Sequence, residues 1–191
     1  MLAPAERFEN KKNEEHPELY GVFPFRLYGV GKPDIERAIE ALRHRDDANN
    51  VGWHQDEAFM AYLGLAVEAR ENLLVRIRTR KEEWFVDGQR AQTHMKFPAF
   101  WGPNFDWTPD QCHGGMIMIV LQSMLLQRDA DNVLLFPAWP KDWDVEFKLH
   151  APQGTIIEGT YRDQELVELN VTPESRREDV IVCLGDASVN A

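Results

Sequence analysis

Apolar side chains recur at helical spacing along the first two-thirds of the chain and at strand spacing after it. Ile35, Ala38, Ile39 and Leu42 stand at i, i+3, i+4 and i+7, directly after Pro33 and Asp34, which suit a helix start. Phe59, Tyr62, Leu63 and Ala66 repeat the pattern, with Gly64 marking a break. A third helix is predicted from about Val67 to Arg80, burying Leu73, Leu74 and Ile77. A fourth, from about His113 to Gln127, is apolar around nearly its whole circumference, as a helix enclosed on every side would be. Three other helices are too few to enclose it, so the pattern predicts packing neighbours that this chain does not contain.

Near residue 130 the period changes to two. Val133 to Phe136, Val145 to Leu149, Thr155 to Tyr161, Leu166 to Val171 and Val180 to Leu184 are short and rich in β-branched or aromatic residues. Turn material separates them at Pro137, Pro140, Ala151 to Gly154, Arg162 to Gln164 and Thr172 to Ser175. Alternation from Val145 to Leu149 and from Leu166 to Val171 predicts one packed and one wet face. The expected organisation is a helical part over residues 1–130 and a small antiparallel β-sandwich over 131–191.

Composition narrows the field. A hydrophobic fraction of 43% and a charged fraction of 28% allow a core and a soluble protein. The net charge of −11 argues against nucleic acid as partner. The longest apolar stretch, Met116 to Leu121, is far short of the ~20 residues of a membrane span, and the first twenty residues lack the apolar run of a signal peptide. Cys112 and Cys183 form no CxxC, so both are expected to be free, buried thiols.

Chemistry concentrates in the segment from Phe97 to Gly115, which holds three prolines, three glycines, five aromatics and two carboxylates. Long ordered loops of this make-up are usually functional. Asp110 precedes Gly114 and Gly115 at the predicted start of the buried helix, where the helix dipole favours its ionised form. It suits a general base that activates water, and equally a helix N-cap. Asp106, four positions earlier, could complete a carboxylate pair or serve structure by hydrogen bonding. Trp101 and Trp107, interleaved with Asn104, Asp106, Asp110 and Gln111, would suit stacking on a sugar ring. Trp139 and Trp143 read rather as glue between the strands and the helices. His54, His94 and His113 have no metal-ligand spacing, and no phosphate loop or GxSxG occurs, so no metal or cofactor is expected. His113 beside Asp110 would orient a substrate or fill a structural role.

The stretch Pro98-Ala-Phe-Trp-Gly-Pro-Asn-Phe-Asp-Trp-Thr-Pro-Asp-Gln-Cys-His-Gly-Gly115, followed by Leu121 to Gln127 and by Leu134-Leu-Phe-Pro-Ala-Trp-Pro140, resembles the C-terminal part of glycoside hydrolases related to family 95. Leu19-Tyr-Gly-Val-Phe-Pro24 is similar to that family's Leu-Tyr-Gly-Leu-Tyr-Pro segment, and Gly52-Trp53 to its Gly-Trp-Ser motif. The family contains α-L-fucosidases and α-L-galactosidases. The resemblance implies an (α/α)6 barrel followed by a small β-domain, and an inverting mechanism with a Glu acid and an Asp base. Asp110 matches that base, and Gly114 and Gly115 match the glycines that trail it. Gln111-Cys112-His113 stands where the family has Gly-Asn-Phe, and Glu18 where it has a sugar-contacting His.

The expectation is a mixed fold: the closing helices of an incomplete (α/α)6 barrel, then the sandwich. Its function would be that of the C-terminal part of an inverting glycosidase, with the acid on helices upstream of residue 1 and this chain alone inactive. Asp110 is the expected base. Glu18, Trp101, Asn104, Asp106, Trp107, Gln111 and His113 are expected to line the cleft, with Trp53 and Gln55 near its rim. The expected partner is a carbohydrate, with no cofactor, nucleic acid or membrane. Self-association through the open barrel edge is a further expectation, and the full-length parent would be secreted or periplasmic. The alternatives are a carbohydrate-binding or scaffold module without hydrolysis, and an inactive remnant.

Overall fold

The structure is a computed structural model in which residues 2–3, 15–48, 53–78, 84–86, 89–91 and 111–184 are described. For 84–86, 89–91, Gln111 and His113 the description covers the backbone alone. Helices precede strands, as the periodicity predicts. A 3-10 turn (Pro17–Leu19) leads to α1 (Ile35–Arg43), α2 (Asp56–Tyr62) and α3 (Ala66–Arg78); a hairpin of β1 (Trp84–Val86) and β2 (Gln89–Ala91) and then α4 (Gln111–Leu125) follow. The chain continues through β3 (Leu126–Asp129), β4 (Asn132–Leu135), β5 (Val145–Ala151), β6 (Thr155–Arg162), β7 (Glu165–Thr172) and β8 (Val180–Val182). The fold is mixed, and the described helices do not close into a barrel. No described helix is long and apolar enough to cross a membrane.

Gly64 ends the second helical run as its place in the pattern predicts. It takes φ 74°, the left-handed conformation that glycine adopts without steric cost. The Leu65 N–H then bonds the Met60 carbonyl and the Gly64 N–H that of Ala61, the paired closure of a Schellman cap. The α2 helix is nearly enclosed, from Asp56 through Ala61. In α3 the buried stripe is Ala69, Leu73 and Arg76, whereas the predicted Ile77 is exposed. At 100° per residue Ile77 falls about 40° beyond Leu73 and outside that stripe, whereas Arg76 falls on its other edge, where it meets a buried carboxylate described below.

The α4 helix packs against α2 and α3 through Met116, Val120 and Met124, while Met118, Ile119 and Leu121 remain exposed. Gln127, buried just beyond it, ties the C-terminal ends of α2 and α4. Its amide donates to the Ala61 and Ser123 carbonyls at 2.8 Å each and accepts from Arg26 at 2.9 Å. Burial lowers the pKa of that arginine, and Asp129 opposes the shift.

The predicted strands all form, with β3 and the β1–β2 hairpin in addition. They make two three-stranded sheets, β3-β4-β8 and β5-β6-β7. The second is an antiparallel meander, but β4 and β8 run parallel, which corrects the expectation of a wholly antiparallel sandwich. The reason is connectivity. A parallel pair needs a long crossover, and the whole β5–β7 meander lies between β4 and β8. The sheets meet at Phe136, whose ring packs on Phe147 and Tyr161. Phe136 adopts φ 61°, rare for a bulky side chain, and its N–H is held by the Leu125 carbonyl at 2.6 Å.

Trp139 and Trp143 join strands to helices, in line with their reading as glue. The Trp139 indole donates to the Trp143 carbonyl at 2.8 Å. Arg70 of α3 lies 5.5 Å from the centre of the Trp143 ring and pairs with Asp142 at 3.0 Å. The cysteines are free, but Cys112 is exposed and Cys183 only half-buried, which corrects the expectation of two core thiols. Cys112 sits in the first turn of α4, outside the part that packs, and burial raises the pKa of the Cys183 thiol.

Candidate functional site

Of the residues singled out from sequence, Asp110, Trp101, Asn104, Asp106 and Trp107 lie outside the described residues. Gln111 and His113 fall in the first turn of α4. Glu18, Trp53 and Gln55 are described: Trp53 and Gln55 line one cavity with His16, and Glu18 Oε1 lies 3.5 Å from His16 Nδ1.

Pro17 opens the 3-10 turn, placing His16 just before it and Glu18 within it. Trp53, His54 and Gln55 lead into α2, with Gln55 at its N-cap position. Glu15, His16, Tyr20, Trp53, His54, Gln55 and Phe59 line a cavity of about 40 Å³. That is room for an ion or water but far below the ~300 Å³ at which small-molecule pockets begin. The Trp53 and His54 rings stack 4.5 Å apart, and the buried His16 meets Phe59 edge-on. Tyr20 donates to Glu15 at 2.8 Å, and burial together with that carboxylate pushes its pKa up to about 12.

Two acidic residues open α2, where the helix dipole favours them, yet both are buried. Each is met by an arginine. Glu57 takes both ends of a buried fork from Arg76, at 3.0 and 3.1 Å, and Arg76 also donates to the His54 carbonyl at 2.7 Å. Asp56 pairs through Oδ1 with Arg45 at 2.5 Å. Its Oδ2 is buried, has no hydrogen-bond partner, and lies 4.0 Å from His54 Nδ1. Burial raises the Asp56 pKa, against the pull of Arg45, His16 and His54.

His16 sits on the other side of this group. Its Nε2 hydrogen-bonds the Asp47 carbonyl at 2.6 Å, which makes Nε2 the protonated nitrogen. In the neutral ring Nδ1 then carries the lone pair; it is buried, without a hydrogen bond, and 3.5 Å from Glu18 Oε1. One ligand atom from each of His16, His54 and Asp56 lies within 4.8 Å of the others.

Sequence reasoning singles out Glu18, Trp53 and Gln55 as candidates and does not single out His16, Arg45, Asp56, Glu57 and Arg76, which the structure brings together beside them. Their partners lie 11 to 31 positions away, beyond the reach of any local motif. The one local signal was two acids at the head of a helix whose following residues are apolar. No family model and no curated protein matches the chain.

Proposed function

We propose that this chain is the C-terminal part of an inverting glycoside hydrolase of the family 95 kind, acting on polysaccharide or oligosaccharide bonds such as α-L-fucosides or α-L-galactosides. The helices would be the closing ones of an (α/α)6 barrel and the two sheets its small β-domain. The observation that carries the reading is convergence: the segments that resemble the family's Leu-Tyr-Gly and Gly-Trp motifs meet at one cavity, with Tyr20 and Trp53 both in its wall. The exposed Met118, Ile119 and Leu121 agree with helices supplied from elsewhere in a longer protein.

In this reading Asp110 is the base that takes a proton from the attacking water, while a carboxylic acid on an upstream helix protonates the leaving oxygen. Trp101 and Trp107 stack on the sugar, and Asn104, Asp106, Gln111, His113 and Glu18 bond its hydroxyls. Trp53 and Gln55 stand at the rim. The test is Asp110→Asn in the full-length parent: turnover falls about 10²–10⁴-fold if Asp110 is the base, and unchanged turnover refutes it.

A second reading, sugar binding without hydrolysis, is supported by a groove of about 440 Å³ beside Trp139, edged by the polar Glu68, Arg70, Asp142 and Gln164. Retention of the isolated chain on a polysaccharide that it does not cleave would favour it.

A further inference from the structure

Two buried side-chain atoms beside the cavity at the head of α2, His16 Nδ1 and Asp56 Oδ2, have no hydrogen-bond partner among the described residues. With Nε2 committed to the Asp47 carbonyl, His16 Nδ1 in the neutral ring is a buried acceptor. Glu18 Oε1 lies 3.5 Å from it, too far to be a hydrogen bond and close enough to repel a lone pair. Asp56 Oδ2 is a second buried oxygen without a partner. Leaving such buried groups unsatisfied is costly, so their grouping calls for a positive charge in their midst.

From this arrangement we infer that His16, His54 and Asp56 form a binding site for a divalent transition-metal ion of the zinc or cobalt class, with Glu18 or water as the fourth ligand.

Geometry supports it. Three atoms no more than 4.8 Å apart share a point within about 2.8 Å of each, since 4.8/√3 is 2.8. Zinc–nitrogen and zinc–oxygen bonds of ~2.0–2.2 Å are then reached by an inward shift of under ~1 Å per side chain. The outer bonds are those of a metal site. An imidazole that ligates through one nitrogen usually donates the other N–H to a carbonyl or carboxylate, as His16 does to Asp47. A ligating carboxylate is usually held through its second oxygen, as Asp56 is by Arg45. Two imidazoles and a carboxylate with an open fourth position suit zinc, and the nitrogen ligands disfavour magnesium and calcium. All three residues are at most 4% exposed, which separates this group from a solvated surface cluster.

The inference does not depend on the hydrolase reading, and its test uses no sugar. Cobalt(II) is titrated into the chelator-stripped chain while its visible absorption and far-UV circular dichroism are followed, and zinc(II) is then added as competitor. The expected result is one equivalent bound at micromolar metal, displaced by zinc. Affinity should fall at least about tenfold in His16→Gln and in His54→Gln, and stay unchanged in the exposed controls His44→Gln and His150→Gln. Asp56→Asn keeps the shape of the side chain and should weaken binding likewise. Should one variant fail to fold, the His16 ring nitrogens of the wild-type chain still decide the matter: zinc should shift the Nδ1 resonance and leave Nε2 protonated. No uptake by the folded chain, uptake indifferent to His16 and His54, or an Nδ1 found protonated with Glu18 as its counter-ion would each overturn the assignment.

Discussion

Replacing Arg76 by Met would leave the Glu57 carboxylate buried without its partner. Both side chains are fully enclosed, at 0% exposure, and two hydrogen bonds of 3.0 and 3.1 Å join them. The folded protein then has two options. It can hold a bare charge in the core, or it can protonate Glu57. Protonating a carboxylate of ordinary pKa ~4.3 at pH 7 costs about 3.7 kcal/mol, which caps this part of the loss. Loss of the Arg76 hydrogen bond to the His54 carbonyl adds about 1 kcal/mol. The expected loss for Arg76→Met is therefore ~3–5 kcal/mol, typical of breaking a buried pair from one side. The pH dependence identifies the cause. In the variant the folded-state pKa of Glu57 is raised above its unfolded value, so stability is present below ~4.3 and is lost as pH rises through the folded value. The deficit should thus shrink by about 1.4 kcal/mol per pH unit as pH falls from 7 toward 5. Urea unfolding followed by circular dichroism at several pH values measures it. The double variant Glu57→Met, Arg76→Met removes both charges and should lose far less than the two single losses combined. A pH-independent deficit below ~1 kcal/mol for Arg76→Met, or simple additivity in the double variant, would refute the account.

Asp56 is expected to titrate in the same direction, because burial raises its pKa. Its contribution to stability is full below the ordinary carboxylate range and is lost as pH rises through the raised value. Metal-free Asp56→Asn should therefore gain on the metal-free wild type between pH 4 and 7, and a gap constant over that range would count against the burial. At Gly159 a Cβ would come within 2.8 Å of the Glu168 carbonyl oxygen and 2.7 Å of the Phe147 ring. Gly159→Ala should cost ~1–3 kcal/mol in thermal unfolding, and pairing it with Phe147→Leu should relieve only the side-chain part of the clash.

The strands were readable because each carries its own signal. Val145 to Ala151 and Glu165 to Thr172 alternate and are bounded by turns, so neither needed the other to be found. Gly64 was readable as a break for a similar reason. The order of β8 beside β4 was not, since direction in a sheet depends on where a long connection returns. The burial of Arg76 is not legible locally, because a charged residue reads as surface until its partner is known, and Glu57 lies 19 positions away. At the site, Trp53 is singled out through the Gly52-Trp53 resemblance, whereas His16 and Asp56 acquire meaning only when folding sets them beside each other. The absence of metal-ligand spacing among the histidines spoke only to local motifs, and the cluster here draws its ligands from the 3-10 turn and from the head of α2.

The passage from α4 into β3 has a practical consequence. Leu125 ends the helix and Leu126 begins the strand, with no residue between them. Proteases separate folded regions at exposed, pliable connections. Here the peptide from Ser123 to Gln127 is buried or half-buried and serves both halves at once. Limited digestion should therefore not release a helical piece and a strand piece at this junction. A chain begun at Asp131 would strip β4 of its partner β3 and forfeit Gln127, so the strand half needs the last turn of the helix before it.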